Sequence, residues 1–252
     1  AGVAAGVVQA FQNCLKENQI DPKDVIFVAH STTQATNALI EGDVAHVGVV
    51  GVGPKGVGGW LAKAQTNMKD INLGSGRFIR LHNRFICDEK LSDQLVTDTI
   101  KSLVGEGAQV IVASESYGVD DMENETGICA IAKNMGLEAT AASEITKLYG
   151  LTRRTRTAAI NASILPKMLN TANSTEQSVR SAGVEVPLMI MRGDGGVMEI
   201  SEMKKRPVLT MLSGPAASVM GSLMYLRASN GVYFEVGGTT TNIGVIKDGR
   251  PA

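Results

Sequence analysis

Glu235-Val236-Gly237-Gly238-Thr239-Thr240-Thr241-Asn242 closes one apolar run, Val232-Tyr233-Phe234, and leads into another, Ile243-Gly244-Val245-Ile246. The pattern reads as strand, tight turn, strand, with Asp248-Gly249 as a further turn signal. Two adjacent glycines let the main chain bend sharply and come close to a ligand. Successive amide N–H groups can then form an anion-holding concavity, and the threonine hydroxyls add donors for phosphate oxygens. Glu235, at the strand end, is placed to hold a hydrated Mg²⁺, an ion that prefers carboxylate and water ligands. Taken by itself, the segment also fits an ordinary glycine hairpin.

Upstream of this turn, Ser213-Gly214-Pro215 opens a helix carrying Val219, Met220, Leu223 and Leu226, with the proline suited to a first turn. Pro187 to Met191 reads as a strand entering the turn Gly193-Asp194-Gly195-Gly196. Asp194 there is either a turn-former or a cleft carboxylate. Thr152 to Gly183 is helical in pattern, with Pro166 expected to kink or break it. Arg153, Arg154 and Arg156 form a basic cluster, read as a solvated helix face or, less simply, as an anion contact.

Nearer the amino terminus, strand and helix patterns alternate. Val25 to Ala29 is a continuous apolar run, as in a strand covered on both faces. Ser31 to Gln34 fits a capping box heading a helix through Ile40. Val47 to Val50, Phe78 to Leu81, Val110 to Ala113 and Glu138 to Ala142 read as strands. Leu95 to Val104 and Ile128 to Met135 read as helix faces, and Val3 to Leu15 as an opening helix. Such alternation implies parallel pairing in an α/β layered domain.

Gly51-Val52-Gly53-Pro54-Lys55-Gly56 is a literal dinucleotide fingerprint, with Asp70 about 20 residues on. Pro54 removes an N–H from the turn that should present amides to pyrophosphate. Gly56, Gly58 and Gly59 would delay the helix, so a flexible loop rimming a cleft is the expectation. His30 ends a strand beside Thr32 and Thr33 and could act as a base or as a hydrogen-bonded structural imidazole.

Composition excludes some classes. With 24 Lys and Arg against 25 Asp and Glu, the net charge of −1 gives no reason to expect nucleic acid or an anionic membrane as partner. Aromatics at 4% supply no stacking platform for bases. No apolar run approaches the ~20 residues of a membrane span. Cys14, Cys87 and Cys129 are odd in number and far apart, which suits reduced thiols in a cytoplasmic protein.

Ser213-Gly214-Pro215-Ala216, a helix, and then Glu235 to Asn242 resemble the hydantoinase/oxoprolinase family, whose stretch reads SGPA, helix, D-x-GGTSTD. His30-Ser31-Thr32-Thr33-Gln34-Ala35-Thr36-Asn37-Ala38-Leu39 is similar to the family's hGTTxATNALL. Arg156 to Ala162 with Pro166 is similar to RTxTTxxNAxxxP, and Met191 to Met198 to SDGGLM, with Arg206-Pro207 leading into SGPA. The resemblance implies an α/β, actin-like ATPase (ribonuclease H-like) fold, incomplete in this chain, with a mainly parallel sheet flanked by helices. Residues 1–150 would then be the remainder of a first half, 151–230 a helical connection with one strand, and 231–252 the start of a second half.

By the same resemblance, Mg-ATP would drive activation of an amide or ketone oxygen, with cyclic amides as substrates and a second hydantoinase-type subunit as a partner. Gly237, Gly238, Thr239, Thr240 and Thr241 would grip phosphates, with Ser213 and Gly214 beside them. Glu235 would serve the metal and, with Asp194, the chemistry. Thr32, Thr33, Asn37 and His30 would face the same cleft. The family's first phosphate loop belongs upstream of Ala1, so the chain reads as a fragment, inactive alone. Glu235 and Asn242 stand where the family has aspartates, which leaves a non-catalytic nucleotide- or partner-binding module as the other reading.

Overall fold

The computed structural model describes residues 3–227, 229–236 and 241–251, so the turn residues Gly237 to Thr240 lie outside the described residues. In chain order, α1 (Val3–Glu17), β1 (Val28–His30) and α2 (Gln34–Glu41) come first. They are followed by β2 (Val47–Gly53), α3 (Gly56–Thr66), β3 (Ile71–Gly74), β4 (Arg77–Ile79), β5 (Leu81–Cys87) and α4 (Asp93–Gly105). Next are β6 (Val110–Glu115), α5 (Glu123–Asn134), β7 (Glu138–Ala141), α6 (Ala142–Ile145) and the long α7 (Leu151–Ser181). The chain ends with β8 (Leu188–Met191), β9 (Val197–Glu199), α8 (Ile200–Met203), α9 (Ser213–Leu226), β10 (Gly231–Val236), β11 (Thr241–Lys247) and β12 (Arg250–Pro251). Two compact units share this chain: residues 1–37 with 168–252, and residues 38–167. Residue 150 lies in the second of these and residue 230 in the first.

In the 38–167 unit the four-stranded sheet runs β5-β2-β6-β7, all parallel. Every residue of β2 is buried, because helices cover both faces. On one face Val50, Val52, Ile111 and Ala113 pack against Val96, Ile100 and Leu103 of α4 and Ile128 and Ala132 of α5. On the other face a Cβ at Gly51 would lie 2.3 Å from Thr66 Oγ1, and one at Gly53 would lie 2.8 Å from the Ala62 Cβ. These glycines let α3 sit directly on β2. Cys129 belongs to the core, where burial pushes its thiol up to about 12.

The fingerprint-like segment is therefore no flexible loop. The strand persists to Gly53 and the helix starts at Gly56, so the extra glycines do not delay it. Asp70 accepts from the Leu81 N–H and from Arg80 at the base of the β3–β4 hairpin, so it is not free for a ribose.

Arg154 is not on a solvated face. It has no exposed surface and donates to the carbonyls of Leu148 at 2.8 Å, Tyr149 at 3.4 Å and Glu115. Glu125, equally buried, accepts from the Glu115 N–H and the Ser143 N–H, each at 2.8 Å. Burial pushes the Glu125 carboxyl up, while those two N–H groups and the charge of Arg154 oppose the shift. Burial likewise raises Glu115, whose Oε1 accepts from Asn124 at 2.8 Å. Together they satisfy the backbone where β6 ends and α5 approaches.

In the unit formed by residues 1–37 and 168–252, β1 pairs parallel with β8 and β8 pairs antiparallel with β9. Leu188, Ile190, Met168, Ala172 and Val184 make its core. The strand expected over Val25 to Ala29 is shorter, starting at Val28, and Ile26 and Phe27 are exposed at 89% and 57%. An apolar run alone does not show whether anything covers it. The Ser31–Gln34 capping box does not form either. Instead the Gln34 N–H donates to Thr32 Oγ1 at 3.2 Å, and the Gln34 side chain bonds Thr171. Pro166 does not break α7, which continues to Ser181. Buried Ala158, Ala159, Ala162, Leu165 and Met168 hold that helix on both sides of the missing N–H.

Two predictions follow the buried charges. Glu125→Ala leaves the buried N–H groups of Glu115 and Ser143 without their acceptor, so it should cost about 2–4 kcal/mol in urea-induced unfolding. Glu115 and Glu125 both have folded pKa values raised above 4.5. Their contribution is thus complete below the unfolded value and is lost as pH rises through the raised folded one. Glu115→Gln keeps an acceptor for Asn124 but removes the titration. It should raise the urea midpoint near neutral pH and leave it unchanged in acid below the unfolded value.

Candidate functional site

The heads of two helices are tied together by backbone. Ser213, fully buried at the start of α9, donates its hydroxyl to the Thr32 carbonyl at 2.9 Å and accepts from the Thr32 N–H at 3.5 Å. The Leu212 N–H donates to Thr36 Oγ1 at 3.0 Å, and Leu212 adopts φ +60°, a left-handed conformation costly for a leucine. A Cβ on Gly214 would lie 2.9 Å from Thr33 Cγ2, so only glycine fits that contact without movement. Asn37 donates to Thr33 Oγ1 at 3.3 Å, one turn along α2.

The Gly193–Gly196 turn lies against the segment that enters α9. The Gly193 N–H donates to the Leu209 carbonyl at 2.9 Å, and a Cβ at Gly193 would sit 2.0 Å from the Met211 oxygen. The resemblance gives Asp194 a part in the chemistry, as a cleft carboxylate rather than a turn-former. Its Oδ1 accepts from the Gly196 N–H at 3.0 Å and its Oδ2 from Arg192 at 2.5 Å, so the carboxylate shapes its own turn.

The hairpin forms as its sequence suggests. β10 pairs antiparallel with β11, placing Glu235 directly opposite Asn242 and Tyr233 opposite Gly244. Tyr233 lies across Gly244, where a Cβ would come within 1.9 Å of the ring, and donates its hydroxyl to the Pro215 carbonyl at 3.0 Å. Burial, then the charge of Glu235, raises the Tyr233 pKa, which keeps that hydroxyl a donor. A cavity of about 320 Å³ is lined by residues including Gly193, Leu212, Pro215, Tyr233, Thr241 and Asn242.

Ser213, Gly214, Thr32, Thr33, Asn37, Asp194, Glu235 and Thr241 thus lie in one unit, while Gly237, Gly238, Thr239 and Thr240 fall outside the described residues. His30 lines a different and smaller space, about 110 Å³, with Phe11, Val179 and Leu188, and burial holds its pKa below 6.5. The sequence reading missed Ser218, whose hydroxyl donates to Glu235 Oε2 at 2.7 Å. It also missed Thr36. No spacing rule links Thr36 to Leu212 across 176 positions.

Among the described residues, no group of three or more His, Cys, Asp or Glu could hold a metal. Glu235 is an exposed carboxylate whose Oε2 also receives Asn242 Nδ2 at 3.3 Å. Its Oε1 accepts no hydrogen bond among the described residues. One free carboxylate oxygen fits Mg²⁺, which keeps most of its waters and takes one or two carboxylates.

Known proteins bear on this arrangement. The hydantoinase/oxoprolinase N-terminal region matches residues 1–136, and the hydantoinase/oxoprolinase domain matches residues 154–252. An uncharacterised protein of Methanocaldococcus jannaschii is 26% identical over 148 residues, 57% of this chain and 22% of its own length. Nucleotide-free acetone carboxylase superposes with a TM-score of 0.72 at 17% identity, over 98% of this chain and 39% of that one. The ATP-dependent caprolactamase of Pseudomonas jessenii gives 0.66 at 19%, over 97% and 39%. The chain therefore spans well under half the length of each of these proteins. The α/β, actin-like fold expected from the resemblance is the fold observed. Two matching regions that together cover most of the sequence establish that the chain belongs to the hydantoinase/oxoprolinase family.

Proposed function

We propose that this chain serves an ATP-dependent enzyme that activates the carbonyl oxygen of a cyclic amide, so that water can open the ring. Family membership and the ATP-dependent carboxylase and caprolactamase of similar fold support an ATP-using reaction. The observation that carries the site assignment is the hairpin docked on α9. It sets Glu235 opposite Asn242 and Val236 opposite Thr241 at the end of the ribbon. In this reading Gly237, Gly238, Thr239, Thr240 and Thr241 grip phosphate oxygens, and Ser213 and Gly214 hold the head of α9 against α2. Glu235 holds Mg²⁺ through water, and the metal neutralises phosphate charge. Thr32 and Thr33, just ahead of α2, and Asn37 within it contribute exposed or half-exposed polar groups. A cytoplasmic location and a second hydantoinase-type subunit belong to the same proposal. No helix among the described residues is long and apolar enough to cross a membrane.

A second reading rests on one specific observation. Glu235 and Asn242 face each other and hydrogen-bond, so the hairpin is satisfied without a second carboxylate. A nucleotide- or partner-binding module with no turnover would need nothing more. Kinetics separates the two. In the full-length protein, phosphate release from ATP should depend on a cyclic amide, and Glu235→Ala should lower kcat about 100-fold, the typical cost of one preorganised charge-stabilising group. An unchanged kcat in that variant removes Glu235 from the site, and the absence of amide-dependent turnover across a panel of lactams and hydantoins favours the binding module.

A further inference from the structure

Two hydrogen bonds join α9 to the β10–β11 ribbon, and both follow from the geometry of the two elements. In the β10–β11 ribbon, Tyr233 and Glu235 are two residues apart and share a face, which they share with their cross-strand partners Gly244 and Asn242. In α9, Pro215 and Ser218 are three residues apart and also share a face. Tyr233 docks on Pro215 at 3.0 Å, and Ser218 then meets Glu235 at 2.7 Å. The ring of Tyr233 reaches Pro215 because Gly244 leaves room for it to lie across the ribbon.

A serine inside a helix ordinarily returns its hydroxyl to the carbonyl four residues back. Ser218 has that option, but the Gly214 oxygen is 3.4 Å away against 2.7 Å to the carboxylate. A hydrogen bond to a charged acceptor is also the stronger of the two. Asn242 Nδ2 approaches the same oxygen at 3.3 Å, so both donors converge on Oε2. Glutamate has one more torsion than aspartate, and a carboxylate on an exposed strand would otherwise sample several rotamers. Two donors on one oxygen fix the last torsion and leave Oε1 for another partner.

We propose that Ser218 is a positioning residue for Glu235: together with Asn242 it holds Oε2 and presents Oε1 to the cation that accompanies ATP. This rests on the reading of Glu235 as the carboxylate that serves Mg-ATP. Ser218 itself touches neither nucleotide nor metal. Its effect is on the affinity and geometry of the carboxylate.

The test is a Mn²⁺ titration of the full-length protein followed by electron paramagnetic resonance, with a non-hydrolysable ATP analogue present throughout. Ser218→Ala should weaken Mn²⁺ binding about 10-fold, the lower end of what losing a partner of a metal-binding group costs. Ser218→Thr, which keeps the hydroxyl, should restore the affinity. In the Glu235→Ala background Ser218→Ala should change nothing further, because the two residues act as one unit. Alanine is the best helix former, so the first variant keeps α9 intact, and an unchanged melting curve checks this. Equal Mn²⁺ affinity in wild type and Ser218→Ala, with loss in Glu235→Ala, overturns the role of Ser218 and leaves the metal reading standing. Unchanged affinity in Glu235→Ala overturns both.

Discussion

Ser213 has no exposed surface and spends one hydroxyl on both backbone groups of Thr32. That double engagement is the constraint on which the candidate site depends. A buried hydroxyl without partners is costly, and here both partners come from a segment 181 positions away. Once the bond forms, the head of α9 is fixed against the head of α2. Beside it Leu212 adopts its left-handed conformation and donates to Thr36, and a Cβ on Gly214 would crowd Thr33. Everything further along α9 inherits that placement: Pro215, which receives Tyr233, and Ser218, which receives Glu235.

The two units use polar burial differently. Around residue 213 a neutral hydroxyl satisfies backbone groups at modest cost. At the carboxyl end of β6 the protein buries ionisable groups, with Arg154 and Glu125 both inaccessible to solvent. Desolvation there outweighs the local hydrogen bonds in the carboxyl of Glu125, whose pKa is raised although two N–H groups and an arginine oppose the shift. Such a network is weak evidence for stability relative to an apolar core, but breaking it is expensive. It specifies where β6 must stop, since Arg154 collects the carbonyls of Glu115, Leu148 and Tyr149.

The hairpin is where the chain carries Glu235 and Asn242 in place of the two aspartates that the resemblance implies. Two carboxylates directly opposite each other across an antiparallel ribbon repel unless a cation lies between them. Glu235 and Asn242 occupy such a pair and attract instead. The same register allows a longer acidic arm, because the amide and the Ser218 hydroxyl restrain it.

The sequence by itself determined the periodic and the local. Alternating apolar runs specified a parallel sheet between helices, because strand and helix periods differ and each buries one kind of face. The glycine-threonine turn between two apolar runs specified the β10–β11 hairpin, because turn chemistry is encoded in adjacent residues. Tertiary structure alone decided what each polar side chain is spent on. Arg154 reads as solvated among its basic neighbours, yet the Leu148 and Tyr149 carbonyls just ahead of α7 and the Glu115 carbonyl at the end of β6 enclose it. Gln34 reads as a cap, yet Thr171 of α7 claims it. Val25 to Ala29 reads as a covered strand, yet only three residues, Val28 to His30, find a partner strand. Ser218 carries no signal at all, since nothing in its neighbours announces a carboxylate 17 residues on. A hydrogen bond between distant residues has no spacing rule, and burial belongs to whichever surfaces the topology brings together.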